Sequence, residues 1–556
     1  MDNKNLKIKQ TLTLAYENHI KNNLDLAESL YNKILKIDPN HIDSIFLLGT
    51  LYLQKKNLDK AMKLFEEVIK VKPNHANALH NLAYALIEIG KPRDAKKLFN
   101  KVIEIQPNHL DAHYNLGNVH KHLGEFYEAK NYYDKAIKIK PNNAKVYNNL
   151  GNVLKELGKF EEAISSYNKA IKIQYNHANA YHNLGSTYKQ LGDFKKAKEF
   201  YKKSHNYQPG NLETLFVLSD FDKDVLNLDL KKRIKKVISD ENISKKNKAY
   251  GNFLLAKYEL EDNNFEGEFK YLLKGHSHYF DFKKKPFDQG LNYWLKEIPQ
   301  NQELMNLGTS VKNIKQNKST IKPIFIVGVP RCGSTLIEKI IASGSKKIQV
   351  GEETAIISFF VGEKIALKES LNLNVKNLKK KITERYKIKG LIREESDYIF
   401  TDKSLDNFFF IGLIREIFPN AKIINCRRNA LSSIVSILKN NLGDVTWAHD
   451  VNHIFEFFDI YYKKIEDFKK IHPNFIYDLQ IEEFVSNPEK ESKNLMKFCE
   501  LQWNKKCLEF YKRKDLTSRT ASNIQIRKAI YKHSKNKYLP YKQFLNVYGE
   551  KYYWFK

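Results

Sequence analysis

The sequence predicts two kinds of structure in one chain: an all-α solenoid of helical repeats, then an α/β domain built on a parallel sheet. Three observations carry that expectation. Prolines recur on a 34-residue grid as far as Pro209. A β-branched and aromatic run, Ile324 to Val327, opens into a Gly-containing loop and then a helical stretch. Further short apolar runs alternate with helical ones through the rest of the chain.

The repeats come first. Pro39, Pro73, Pro107, Pro141 and Pro209 share the grid, with Tyr175 in the remaining slot. Ala27, Ala61, Ala95, Ala129, Ala163 and Ala197 follow the same step, each trailed four residues later by an aromatic: Tyr31, Phe65, Phe99, Tyr133, Tyr167 and Tyr201. Leu-Gly or Leu-Ala pairs, such as Leu48-Gly49 and Leu82-Ala83, mark the front of each unit. A small residue lets antiparallel helices approach, and an aromatic four positions on lies on the same helix face. Proline ends the second helix because it has no N–H to donate. The pattern resembles the tetratricopeptide repeat over about residues 8–210, and residues 1–210 are assigned as six repeats of 34.

A solenoid of this kind implies a concave face that binds a protein or peptide partner. Asn81, Asn115, Asn149 and Asn183 recur at one register there. A row of amides suits an extended peptide backbone; the alternative is that Asn is common at this repeat position. The array could equally serve self-association, as in a homodimer. Residues 211–300 stay helical but leave the grid, as a degenerate repeat capping the array would. A polar connector at 301–320 then leads into the α/β domain, 321–556.

In that domain the strands are expected at 324–328, 348–350, 398–401, 422–426 and 475–478, with helices on both faces of the sheet. The first is followed by GVPRCGST. The spacing Gly328-x4-Gly333-Ser334-Thr335 is that of a nucleotide-binding loop, but the usual lysine is missing and Arg331 stands within the loop. Nucleoside triphosphates call for that lysine and a magnesium ion, whereas a sulfonate donor carries less charge and needs no metal. The strand AKIINC runs straight into Arg427-Arg428, and arginine's planar fork suits bidentate bonds to phosphate.

GVPRCGSTLIEKIIAS resembles the 5′-phosphosulfate loop of sulfotransferases. It is most similar to the tyrosylprotein sulfotransferase branch and to bacterial repeat-linked sulfotransferases. The resemblance covers about residues 321–545. It implies an α/β parallel-sheet, P-loop-like sulfotransferase domain behind a tetratricopeptide solenoid. The implied sulfuryl donor is 3′-phosphoadenosine 5′-phosphosulfate (PAPS), used without metal.

Residue by residue, the resemblance gives Arg331, Cys332, Gly333, Ser334 and Thr335 to the donor's 5′ end. Arg428 and Ser436 would clamp the 3′-phosphate, with Ser433 on the same helix. Tyr477 would stack on adenine, with burial in the core as the competing role. Glu353, in GEET, would be the general base, and Lys403, in FTDKS, would contact the departing oxygens beside Arg331. Ser522, in RTAS, and Lys537 would bond the leaving phosphates. Two departures stand out: Ala355 replaces the family's Arg after GEET, and Ala529 replaces its Pro. The first weakens the case for an acidic peptide acceptor.

The implied reaction moves a sulfuryl group from PAPS to a hydroxyl acceptor, a peptide tyrosine or a glycan. Two other readings remain: a nucleotide-dependent kinase with a modified loop, and an inactive repeat scaffold. If Glu353 is not the base, His449 and His453 are the next candidates.

Composition limits the rest. The net charge of +30 is mostly Lys spread along the chain, which suits polyanionic ligands but brings no base-reading motif, so no nucleic-acid partner is expected. Four cysteines make neither a disulfide framework nor a paired metal spacing. The polar start MDNKNLKIKQ and the lack of any run near the ~18 apolar residues of a membrane helix read as a soluble, cytoplasmic protein.

Overall fold

The computed structural model describes residues 3–307, 321–371, 375–392, 398–513, 515–516, 525–530 and 537–555. It divides into two compact units, Met1–Thr187 with Asn206–Gln208, and Tyr188–His205 with Pro209–Lys556.

The first unit is built from helix pairs: Asn3–Ile20 with Leu24–Ile37, Ile42–Gln54 with Leu58–Val71, Ala76–Glu88 with Pro92–Ile105, Leu110–His122 with Phe126–Ile139, and Ala144–Glu156 with Phe160–Ile173. Next in sequence come the helices Ala178–Leu191 and Phe194–Tyr207, which are divided between the two units. The grid alanines are fully buried, and the aromatics four residues on are buried with them. The glycine of the Leu-Gly pair has a steric cause. A Cβ on Gly117 would lie 2.5 Å from the Tyr133 ring, and one on Gly151 would lie 2.5 Å from Tyr167. The residue two places after each grid proline caps the next helix. The side chains of His41, His75, His109 and Asn143 accept from the backbone N–H three residues on.

Asn149 and Asn183 of the asparagine row are tied up between repeats. Asn149 Nδ2 donates to Tyr114 OH and to Asn118 Oδ1, each at 3.0 Å. Asn183 Nδ2 donates to Asn148 Oδ1 at 2.9 Å. These bonds run from one first helix to the preceding one and hold the stack in register.

The second unit carries a five-stranded sheet in the order β2-β3-β1-β4-β5, with every neighbouring pair parallel. The strands are β1 Ile321–Gly328, β2 Ile348–Val350, β3 Tyr398–Asp402, β4 Lys422–Arg427 and β5 Ile476–Gln480. Successive residues Pro323 to Gly328 of β1 are all buried, so both of its faces are covered. The helices used below are α1 Phe265–Phe282, α2 Ser334–Gly344, α3 Ile356–Ala366, α4 Val375–Ile388, α5 Ala430–Asn440 and α6 Val451–Ile471.

The helical segment after Pro209 shares one hydrophobic core with the sheet: Leu212, Phe253, Leu272 and Phe287 join the cluster that holds Phe325 and Ile424. Polar contacts add to this. Glu268 of α1, 2% exposed, pairs with Lys439 of α5 at 2.8 Å and accepts from Tyr541 OH. His276 of α1 meets His449, Nδ1 to Nδ1, at 3.0 Å.

Candidate functional site

From β1 the chain crosses to one side of the sheet, and from β4 it crosses to the other. The carboxyl ends of β1 and β4 therefore flank the crevice where ligands of open parallel sheets bind. Gly328 ends β1 because β4 lies too close for a side chain: a Cβ there would stand 2.6 Å from the Cys426 carbonyl oxygen. Arg331 and Gly333 then take left-handed backbone angles, φ 70° and 95°. The Cys332 N–H closes the turn on the Val329 carbonyl at 3.3 Å, and α2 begins just beyond Gly333, so the loop leads into a helix N-terminus, the end that favours an anion.

Four of the sequence-predicted residues come together here. Arg331 Nε donates to Ser436 Oγ of α5 at 2.9 Å, and Arg428 Nη1 donates to the Arg331 carbonyl at 3.0 Å. Arg428 and Lys537 both lie against the Tyr538 ring, at 5.8 Å and 5.5 Å from its centre. Cys332, Ser334 and Thr335 are buried in the loop and the first turn of α2. Ser433 Oγ, one turn before Ser436, is buried without a hydrogen-bond partner.

A second group forms where β3 ends. Lys403 Nζ donates to Glu353 Oε1 at 2.7 Å; the lysine side chain is 1% exposed and the glutamate's 55%. A carboxylate that open can meet a substrate hydroxyl while its partner cation stays fixed below. Burial works against the Lys403 charge, but Glu353, Glu338 and Glu352 outweigh it and hold the pKa above its ordinary value.

The other predicted residues fall differently. Tyr477, on β5, is half-buried and stacks on Phe498 at 5.0 Å. Ser522 lies outside the described residues. His449 is buried against His276 and Leu442 O, and burial followed by the His276 charge lowers its pKa to about 3. Its imidazole is thus committed to the contact with α1. His453 Nδ1 is buried without a hydrogen-bond partner and lies 3.8 Å from Asp450 Oδ1.

Sequence reasoning missed the buried acids beneath this site. Asp402 accepts from Thr354 Oγ1 and Tyr386 OH, each at 2.6 Å, and from the Ser404 N–H and hydroxyl at 2.9 Å and 2.7 Å. Glu338 of α2 accepts from Thr401 Oγ1 at 2.8 Å and the Glu352 N–H at 3.0 Å. The available signal was an Asp placed directly before Lys403 at a strand end.

Comparison with known proteins agrees with both halves of the chain. Residues 323–505 match the model of the sulfotransferase family. Residues 108–176 and 142–209 match the tetratricopeptide repeat, and residues 20–102 match a model described as anaphase-promoting complex, cyclosome, subunit 3. An uncharacterized protein of Aquifex aeolicus is 28% identical over 327 residues, which is 56% of this chain and 42% of that one. The chain thus spans less than half the length of that relative. Among solved structures, MamA is 26% identical with a TM-score of 0.28, covering 30% of this chain and 97% of its own. PilF of Pseudomonas aeruginosa is 18% identical with a TM-score of 0.36, covering 39% and 99%.

Fold and site together describe helical repeats joined to a parallel-sheet domain with a glycine-containing loop at the end of its first strand. Residues 323–505 match the sulfotransferase family and the N-terminal region matches tetratricopeptide repeats, which supports a sulfotransferase-type activity for the C-terminal domain.

Proposed function

We propose that the chain transfers the sulfuryl group of PAPS to a hydroxyl of a macromolecular acceptor, a protein tyrosine or a glycan, in the cytoplasm. The observation that carries this reading is the convergence of Arg331, Arg428 and Ser436 where β1 and β4 end. Two guanidinium groups and a hydroxyl beside a lysine-free anion loop suit a nucleotide with phosphate at both ends of its ribose. Lys537, held near Arg428 by the shared Tyr538 ring, adds a third cation.

The residues divide the work. The loop from Arg331 to Thr335 holds the 5′ end of the donor, and Arg428 with Ser436 holds the 3′-phosphate. Glu353 takes the acceptor's hydroxyl proton as its oxygen bonds to sulfur and the bond from sulfur to the phosphate oxygen breaks. Lys403 and Arg331 receive the negative charge that stays on the departing phosphate, in fixed positions that need no reorganisation. Tyr477 and Ser522 keep the adenine and leaving-phosphate roles that the family resemblance implies. The repeats bind a protein partner or the acceptor itself.

Calorimetry tests the donor side. The expected result is that 3′,5′-bisphosphoadenosine binds without metal and far more tightly than 5′-AMP, and that Arg428→Ala removes the difference. Equal binding of the two nucleotides by the unaltered protein would overturn the reading.

A further inference from the structure

The turn that carries Glu353 is backbone that should not hold itself. Glu352 and Ala355, on either side of Glu353-Thr354, both have left-handed angles, φ 55° and 51°. Neither is glycine, and each such residue costs on the order of 1 kcal/mol or more. Something outside the turn must impose the shape.

The bonds that impose it are all present and nearly all lead to one strand end. Gly351 N–H donates to Thr401 Oγ1 at 3.2 Å, Thr354 Oγ1 to Asp402 Oδ2 at 2.6 Å, and Ala355 N–H to Ser404 Oγ at 2.8 Å. In return Lys403 N–H donates to the Glu352 carbonyl at 2.7 Å. Gly351 is glycine because a Cβ would sit 2.1 Å from the Thr401 carbonyl oxygen. The turn is therefore laced residue by residue onto positions 401 to 404.

Asp402 is the centre of that lacing. It is fully buried, and its two oxygens each accept two hydrogen bonds: Ser404 N–H and hydroxyl on Oδ1, Thr354 and Tyr386 hydroxyls on Oδ2. Four hydrogen-bonding partners on two oxygens occupy the acceptor positions of the side chain, so it ties together every segment that reaches it. Tyr386 comes from α4, Thr354 from the turn, and Ser404 from the stretch beyond Lys403. One buried side chain thus fixes the Glu353 turn on one side and the Lys403 backbone on the other.

We infer that Asp402 is a positioning residue. Through Thr354 and Ser404 it sets Glu353 and Lys403 at their 2.7 Å contact, so that base and cation face the same reacting atoms. The inference rests on the roles proposed above for Glu353 and Lys403. An asparagine would be the same size, but its NH2 group would point at two of the four donors and leave them unpaired in a buried site.

The test needs no acceptor. Competitive acetylation of the full chain with acetic anhydride across a pH series, read by peptide mass spectrometry, follows the protonation of Lys403. Glu353→Gln calibrates the loss of the pair: labelling of Lys403 moves to lower pH, because the carboxylate that raises its pKa is gone. Asp402→Asn and Thr354→Val are expected to move it the same way, and Thr354→Ser, which keeps the hydroxyl, to leave it unchanged. Should Asp402→Asn fail to fold, the Thr354 pair decides alone. Labelling in Thr354→Val identical to the unaltered protein would overturn the inference, as would a calibrating variant that shifts nothing. Preference for 3′,5′-bisphosphoadenosine over 5′-AMP, measured on the same variants, is expected to stay. Its absence from the unaltered protein would overturn the functional reading and not the positioning of the pair.

Discussion

Arg331 Nε donates to Ser436 Oγ across 2.9 Å, so the tip of the loop after β1 is pinned to the helix after β4. The two are 105 residues apart in sequence. The serine orients the guanidinium of a residue whose own backbone is strained, at φ 70°. Ser436→Ala removes both that support and a hydroxyl proposed for the 3′-phosphate. A hydrogen bond to a charged group contributes about 1.5–3 kcal/mol. Affinity for 3′,5′-bisphosphoadenosine is expected to fall about tenfold or more, with 5′-AMP less affected, in the calorimetric comparison.

Glu353 is expected to separate binding from chemistry. Its carboxylate is more than half exposed and contacts Lys403, away from the Arg331–Ser436 clamp in the bonding pattern. Glu353→Ala should keep donor-product affinity and lower the rate of labelled sulfuryl transfer by roughly 10²–10⁴-fold, the usual contribution of a positioned base. Full turnover in that variant would require a different base. His449 is a poor substitute, because its ring is buried against His276.

In the repeats, Gly117 should behave unlike a surface glycine. A Cβ there would press on the Tyr133 ring at 2.5 Å, and the ring is fully buried with its hydroxyl bonded to Asn118 Oδ1 at 2.7 Å. Gly117→Ala is expected to destabilise by about 1–3 kcal/mol, seen as a lower midpoint in urea followed by circular dichroism. Gly210→Ala is the control, since nothing stands within 4 Å of its added methyl and it should be close to neutral.

These residues also mark what could be read from sequence. The strands were legible because a buried parallel strand must be apolar on both faces, as Ile324 to Val327 and Ile423 to Ile424 are. Arg331 and Arg428 were legible because one stands in the loop that follows a strand and the other comes directly after one. Asp402 was not: an acid before a lysine reads as one more solvated charge until Thr354 and Tyr386 are seen to converge on it. The contact of His276 with His449, across 173 residues, has no local signature at all. The asparagine row was visible, but its bonds to Tyr114, Asn118 and Asn148 lie between repeats and depend on the stacking itself.

Asp406 predicts a pH dependence of stability with a definite sign. Burial raises its pKa from 3.8 to about 6; a bond from Ser358 opposes this, and the charges of Asp402 and Glu353 add to it. The folded state thus prefers the protonated form. Below the unfolded value both states carry the proton and nothing is lost. Between about 3.8 and 6 the unfolded chain ionises while the folded one resists, so stability falls as pH rises. Above that window both are ionised and the loss is constant, on the order of 2–3 kcal/mol. Asp406→Asn imitates the protonated side chain and carries no such penalty. Its melting temperature is expected to match the unaltered protein at pH ~4, to exceed it by pH ~6.5, and to keep that margin at pH ~8, where the acid has finished titrating. A difference that is already full at the acid end would mean that the carboxyl's shape matters there and its charge does not.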